Sequence, residues 1–415
     1  MRAFAAFESL RNRTFAQLYA AQTVSLFGDA LTWVGLALLA FDLAGRDGAA
    51  AVLGTALTLR VTAFVVLSPL AGALADRLDR KAILVTADLA RVVVVALIPF
   101  VTAVWQVYAL ILALNAFTAF FTPTYQATLP LVAGDEDYPK AIALSGATYE
   151  ILGVLGPGVA GGLAALVGYQ SVFWLDAGTF LVSAVLVATL PVSLKVTRDT
   201  AAESVPGDGA ARWRDVTEGT ARLWRDRSLR TALLLELVAS VAGAFVLVNT
   251  VGHVRGALAL GDAAYGWVMA AFGVGATAAA LAVGALEDRV SRTTFVFVGA
   301  LVTSLAILPA DFVGLGPLLA LWLAAGAGQN WVNLPTQTLI ADRTPDALQG
   351  RVYGAHFAWS HLWWAGAYPL AGWLGTAAPD RSFLYGGLVA LGLFAGVALA
   401  HRLAGASQVP PVSTT

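Results

Sequence analysis

The sequence predicts an all-α integral membrane protein of twelve transmembrane helices in two pseudo-symmetric six-helix bundles. Three observations carry that expectation. The 415 residues are 58% hydrophobic and only 12% charged, a balance that hides its apolar surface from water only in a bilayer. The apolar residues fall into twelve runs, each reaching the ~20 residues that cross about 30 Å of hydrocarbon as a helix. The third observation is a repeat. Gly72-Ala-Leu-Ala-Asp76-Arg77-Leu-Asp79-Arg80-Lys81 returns 212 positions later as Gly284-Ala-Leu-Glu-Asp288-Arg289-Val-Ser-Arg292, and the same offset brings Pro123-Thr124 onto Pro335-Thr336.

The first six spans lie near 14–43, 48–75, 82–101, 104–129, 139–166 and 169–190. The second six lie near 229–254, 263–286, 293–312, 315–341, 346–377 and 382–402. This divides the chain into a bundle at 1–190, a linker at 191–228, a second bundle at 229–403 and a tail at 404–415. The linker is rich in Pro, Gly, Ser and charge, and Trp213, Val216, Ala221, Leu223 and Trp224 set among Arg and Asp suit a short amphipathic helix at the membrane surface. The tail, all small and polar residues and Pro, reads as disordered.

Of 25 Lys and Arg, 20 fall on one side of the spans, three on the other (Arg46, Arg255, Arg381) and two within spans (Arg60, Arg91). The positive-inside rule then puts both termini in the cytoplasm of a multi-pass cell-membrane protein. Met1 to Arg13 is polar and basic and predicts no cleavable signal. The 41 glycines suit close helix packing in lipid. With no cysteine, disulfides, thiolate metal sites and cysteine nucleophiles are excluded. No phosphate-binding loop or nucleophile triad occurs, so neither an enzyme nor a cofactor is expected.

Charges inside the spans are the functional candidates, because each costs at least ~2.5–3.5 kcal/mol at the bilayer centre and needs a partner or water. Asp29 in span 1, Arg60 in span 2 and Glu150 in span 5 fall near mid-depth. Asp88 and Arg91 are three apart and share a helix face, as either a structural pair or part of a proton path. A carboxylate that gains and loses an Arg partner as the bundles move would load and release a proton, and Asp29 and Glu150 fit that role best. Asp176 is expected near water at the far end of span 6, Glu236 near water at the terminal end of span 7. Asp42, Asp262 and Asp311 are expected to face solvent.

Span 10 carries Gln329, Asn330, Asn333 and Gln337; span 11 carries His356, Trp359, His361, Trp363, Trp364 and Tyr368. Hydrogen-bonding groups among aromatic faces suit the cavity of a large amphiphilic or aromatic substrate, with Gln329, Asn330, Asn333, His356, Trp359 and Trp363 as its lining. Interfacial belts and helix-to-helix glue use the same residue types. His356 is a second titrating candidate or a structural histidine.

Twelve spans in two halves, a central loop, and Gly72, Asp76, Arg77, Arg80 and Lys81 between spans 2 and 3, echoed by Asp288 and Arg289, resemble the major facilitator superfamily over essentially the whole chain. The resemblance implies inverted three-helix repeats and halves that rock about a central site. The family motif has Gly where this chain has Asp79, so the turn there is expected to be made differently. Gly153, Gly156, Pro157, Gly161 and Gly162 in span 5 look like the Gly-Pro-x-x-Gly-Gly element of proton-coupled antiporters, with Ala160 on the first paired glycine. Leu10-Arg-Asn-Arg13-x-Phe15, Phe27-Gly28-Asp29 and Asp88-Leu-Ala-Arg91 resemble the branch of enterobactin exporters and drug:proton antiporters.

The expectation is a monomeric secondary transporter in the lipid bilayer that exports amphiphilic small molecules, drugs or siderophores, in exchange for protons, with no nucleic-acid partner. A divalent-metal exporter of the same fold is an alternative, although His356 and His361 are five apart and no His-x-x-x-His pair occurs, so no metal site is assigned. A non-transporting sensor or scaffold is another, unsupported by any appended domain. Asp76 and its neighbouring Arg residues are expected to latch across the halves onto the start of span 11, where Thr344-Pro345-Asp346 suits a capped helix with Pro345 first. The copy at Gly284 lacks the Lys, so the main latch is expected in the first half.

Overall fold

The computed structural model describes residues 7–75, 78–134, 137–191, 209–286 and 289–406. Among them the chain is helical throughout, without strands. A first group comprises α1 (Arg13–Ala75), α2 (Arg80–Leu97), α3 (Val104–Ala133), α4 (Tyr138–Val167) and α5 (Tyr169–Ala188). A short helix, α6 (Gly209–Arg225), leads into α7 (Arg227–Val251), α8 (Asp262–Leu286), α9 (Arg292–Ile307), α10 (Leu315–Arg343), α11 (Asp346–Ala377) and α12 (Ser382–Ala406). We call the side on which α1 begins and α12 ends the terminal face, and the opposite side the far face.

Helix α1 crosses twice. It is continuous but for Gly45, whose φ of 68° and ψ of −172° leave the helix and turn the chain back. Spans 1 and 2 are thus the arms of one bent element. Among the described residues, eight helices are long and apolar enough to cross a membrane, the α1 stretch counting once, and nine if α4 is one bent span. Helices α10 and α11 are not among them, because their Asn, Gln, His and Arg residues interrupt the apolar run. Exposed Trp105, Leu166, Trp267, Leu281 and Trp373 cover the outside with apolar surface that only lipid would accept. The chain is a multi-pass membrane protein.

Helix starts are written locally. Asn12 accepts from Thr14 N and Phe15 N ahead of α1, and Asp226 from Ser228 N and Leu229 N ahead of α7. Asp79, at the position where a glycine turn was in doubt, has φ −64° and ψ 111° and caps α2 through Lys81 N. It makes the turn without left-handed backbone. Ser291, again 212 positions on, caps α9 through Thr294 N. The start of α11 differs from expectation: Pro345 precedes the helix rather than opening it, no side chain caps it, and the buried Thr344 hydroxyl oxygen has no partner. The helix α12 continues to Ala406, so the start of the expected disordered tail is helical, and 407–415 lies outside the described residues.

Glycine sets the tightest crossings. A Cβ on Gly275 would fall 1.8 Å from the Leu323 carbonyl oxygen, and one on Gly326 1.9 Å from that of Phe272, so α8 and α10 touch backbone to backbone. Helix α6 packs on α11 and α7 rather than standing alone: Gly219 lies under the Arg351 carbonyl, Trp224 meets Trp359 edge-on, and Leu223 is buried. The linker residues 192–208 lie outside the described residues.

Candidate functional site: a buried charge cluster and a second acid pair

In the first group, polar side chains from α1, α2 and α5 converge at mid-depth. Asp88 and Arg91 form an ion pair, both fully buried. The second Asp88 oxygen accepts from Ser183 on α5 at 2.7 Å, and Arg91 donates to Ser25 on α1 at 3.3 Å. The Arg91 guanidinium carbon lies 4.4 Å from the Phe121 ring centre and 4.3 Å from that of Phe180, so two aromatic faces replace the water it lost.

Asp176 does not reach water as expected. It is fully buried, accepting from Thr32 and, at 3.0 Å, from Thr179. The cause is Gly28 on α1: a Cβ there would fall 2.0 Å from an Asp176 carboxylate oxygen, so the glycine opens the space that the acid fills. Asp29, next along α1, is half-buried. The cations acting on its carboxylate are Arg91 and Arg60, and it in turn acts on Asp88 and Asp176. Three carboxylates thus share two guanidiniums. Arg60 lies 4.6 Å over the Trp33 ring on the other arm of α1. Glu150 is on α4, and its side chain lies outside what is described.

The second group holds an acid pair that the sequence did not join. Glu236 on α7 was expected near the terminal-face water, but it is 5% exposed and bonded to His356 on α11, itself 4% exposed. The His356 Nε2 is 2.9 and 2.8 Å from the two carboxylate oxygens. The two positions are 120 apart in the chain, and no local spacing relates them; an acid and a histidine each buried in an apolar span were the available signal.

The expected cavity lining divides. Gln329 and Asn330 are buried within the second group, Gln329 with an unpartnered carbonyl oxygen beside Gly243 and Trp364. Asn333 is half-buried. Trp359 meets Trp224 of α6 edge-on and Trp363 at a tilt, and Trp363 donates to the Leu233 carbonyl of α7, so these tryptophans contact helices of their own group.

Two of the span-5 glycines, Gly158 and Gly161, lie on a seam between the groups. Gly161 meets Gly266 of α8 backbone to backbone, a Cβ there falling 2.7 Å from the Gly266 Cα; Gly158 faces Ala270, and Gly156 faces Ala30 of α1. Gly153 and Gly162 face open space, and Pro157 lies within α4. The matching contact joins Gly54 of α1 to Gly372 of α11. Both lie toward the far face, where ion pairs also cross. Arg46 pairs with Asp380. Arg255, carried on a π-helical turn over Gly252–Ala257, pairs with Asp42 at 2.6 Å and Asp262 at 3.1 Å. Asp42 also accepts from Tyr169, and Asp311 accepts from Phe383 N and Leu384 N at the start of α12. Asp42, Asp262 and Asp311 were expected to face solvent; Asp42 is exposed, Asp262 and Asp311 are partly buried, and each also has protein partners. Among the described residues, every ion pair between the groups is on the far face, so this conformation is closed there.

At the terminal face, Gly72 is on the last turns of α1, while Asp76, Arg77 and Asp288 lie outside the described residues. Arg80 donates to the Ala127 carbonyl and Lys81 to that of Leu190, both in the first group. Arg289 follows α8 in a turn, and Arg292 pairs with Asp342 of α10 within the second. No group of three His, Cys, Asp or Glu that could hold a metal is found among the described residues.

Known proteins share this plan. The chain is 30% identical over 378 residues to the uncharacterised MFS-type transporter YfiS of Bacillus subtilis (strain 168), covering 87% of each. It is 27% identical over 358 residues to the multidrug efflux pump Tap of Mycolicibacterium fortuitum, covering 81% of this chain and 83% of that one. Over 183 residues it is 29% identical to macrolide efflux protein A of Streptococcus pyogenes, covering 43% and 44%. Its fold is that of the nucleoside transporter NupG (TM-score 0.72, 13% identity, 94% of this chain and 98% of that one) and of the peptide transporter POT (0.66, 14%, 94% and 95%). The Major Facilitator Superfamily model matches residues 18–256 and 237–413. With nearly every residue inside those matches, the chain belongs to the Major Facilitator Superfamily and is a membrane transporter.

Proposed function

We propose that this transporter exports amphiphilic drug-like molecules in exchange for protons, with Asp29 as the proton carrier of the first six-helix half. The supporting observation is the unequal sharing of charge at mid-depth. Among the described residues, the cations acting on Asp29, Asp88 and Asp176 are Arg60 and Arg91, so a proton would neutralise the third negative charge. Asp88 and Asp176 are fully buried, whereas Asp29 is partly buried and is the member proposed to take the proton. Efflux pumps among the relatives favour export and a macrolide as the first substrate to try. Siderophores remain in the panel as a second amphiphilic class.

The terminal face is cytoplasmic in this proposal, because nearly all Lys and Arg lie there. Opening of the far face would then admit protons from outside to Asp29, and a proton there would release the attraction that holds Arg60 and Arg91. Asp76, which follows α1 in the sequence, would latch the halves when the terminal face closes. Gln329, Asn330 and Asn333 would supply hydrogen bonds to the substrate. The chain is taken as two six-helix halves working as a monomer.

Erythromycin uptake into inverted membrane vesicles tests this directly. Uptake is expected to follow an imposed acid-inside gradient and to fall to the empty-vesicle level in Asp29→Asn. Uptake indifferent to the gradient, or intact in Asp29→Asn, would sink the proposal.

A further inference from the structure

The terminal face of the second group gathers more positive charge than its own acids answer. Arg222, Arg225, Arg227 and Arg230 crowd the junction of α6 and α7, Arg343 ends α10, and Arg402 lies near the end of α12. Among the described residues, the acid that pairs with any of these arginines is Asp226. It is shared: it caps α7 through Ser228 N and Leu229 N and lies 3.9 Å from Arg222 and 3.7 Å from Arg343. The remaining contacts end on carbonyls. Arg222 donates to the Arg343 carbonyl at 2.5 Å, Arg230 to that of Trp224 at 3.3 Å, and Arg227 to that of His401. A carbonyl accepts a hydrogen bond but cancels no charge. The first group differs at the same face, where Lys140 meets Glu8 at 3.2 Å and Asp137 at 3.1 Å.

The position of these arginines points to what would answer them. Counting from Ser382 at the far-face start of α12, Arg402 lies about 30 Å along the helix at 1.5 Å per residue, which is the thickness of the hydrocarbon. It therefore stands at the level of the lipid headgroups. Arg402 is exposed, and Leu399 and Leu403, one turn apart on the same helix, are exposed beside it. Arg227, three residues before Arg230 on α7, joins α12 at the neighbouring His401, whose Nδ1 is 2.9 Å from the Thr231 hydroxyl. The charged groups acting on His401 are Arg227 and Arg230, both cations. An apolar strip that ends in a knot of guanidiniums suits acyl chains on one side and a phosphate on the other, because guanidinium N–H groups match phosphate oxygens in pairs.

We infer that the end of α12 and the start of α7 bind an anionic phospholipid, its phosphate held by Arg227, Arg230 and Arg402 and its acyl chains lying along Leu399 and Leu403. This is independent of the substrate and of proton coupling, so the vesicle test above and the one here can fail separately. Native mass spectrometry of the full chain, in micelles doped with dioleoyl phosphatidylglycerol or dioleoyl phosphatidylcholine, measures it. Phosphatidylglycerol is expected to remain bound in preference to phosphatidylcholine, and each of Arg227→Gln, Arg230→Gln and Arg402→Gln to weaken that preference by about fivefold. Arg402 makes no ion pair or hydrogen bond with a described residue, so Arg402→Gln tests the site without disturbing the fold. Arg402→Lys, which keeps the charge at the headgroup level, should bind phosphatidylglycerol more tightly than Arg402→Gln. Lys140→Gln, at the same face but among acids, should leave binding unchanged. Equal binding of the two lipids by the wild type, an unchanged preference in Arg402→Gln, or an equal loss in Lys140→Gln would overturn the inference. Displacement of the bound lipid by added inorganic phosphate would also overturn it, since the site would then be one for a free anion.

Discussion

Arg91 shows how one side chain can hold a polar core in lipid. It neutralises Asp88, reaches Ser25 and fills the gap between Phe121 and Phe180. Arg91→Met keeps much of its volume but strands Asp88, and breaking a buried pair from one side costs about 3–5 kcal/mol. A large fall in the thermal midpoint of the detergent-solubilised protein is therefore expected, followed through its tryptophan fluorescence, with little change in Asp29→Asn. The (i, i+3) spacing made the Asp88–Arg91 pair legible in the sequence. Asp176 was misread because depth along its own helix says nothing about the glycine on α1 that makes room for it. Glu236 was misread for the same reason: its partner belongs to another helix, and hydropathy fixes how deep a residue lies but not which way it points.

At the scale of elements, the bend in α1 rests on Gly45. A Cβ there would touch nothing within 4 Å, so the whole cost of Gly45→Ala is the backbone's. With φ at 68° and ψ at −172° that cost is on the order of 1–3 kcal/mol. A modest drop in the thermal midpoint is expected, with transport retained once the variant folds. Spans 1 and 2 were legible as separate apolar runs, because composition marks the crossings; that they are one helix turned at a single residue is a matter of dihedral angles. The Gly72 and Gly284 segments were legible as copies, and Asp79 and Ser291 show what the copying preserved: two different side chains capping two equivalent helices. The chemistry of the cap outlasted the residue.

The whole molecule is closed at its far face by two kinds of contact that respond to different things. Gly54 against Gly372 and Gly161 against Gly266 are backbone on backbone. Arg46 with Asp380 and Arg255 with Asp42 are partly exposed charges. A methyl group at Gly161 has no room, so Gly161→Ala should shift the population toward an open far face. Spin labels on Asp47→Cys and Gly314→Cys would report it as a longer distance, without background since the chain has no cysteine. The two-half plan and the glycine run were legible in the sequence; which face they close was not, because closure depends on contacts between halves. Salt weakens the exposed ion pairs and leaves the glycine contacts untouched. Ionic strength should therefore change how readily the far face opens, while the share of the closure that rests on bare backbone is indifferent to it.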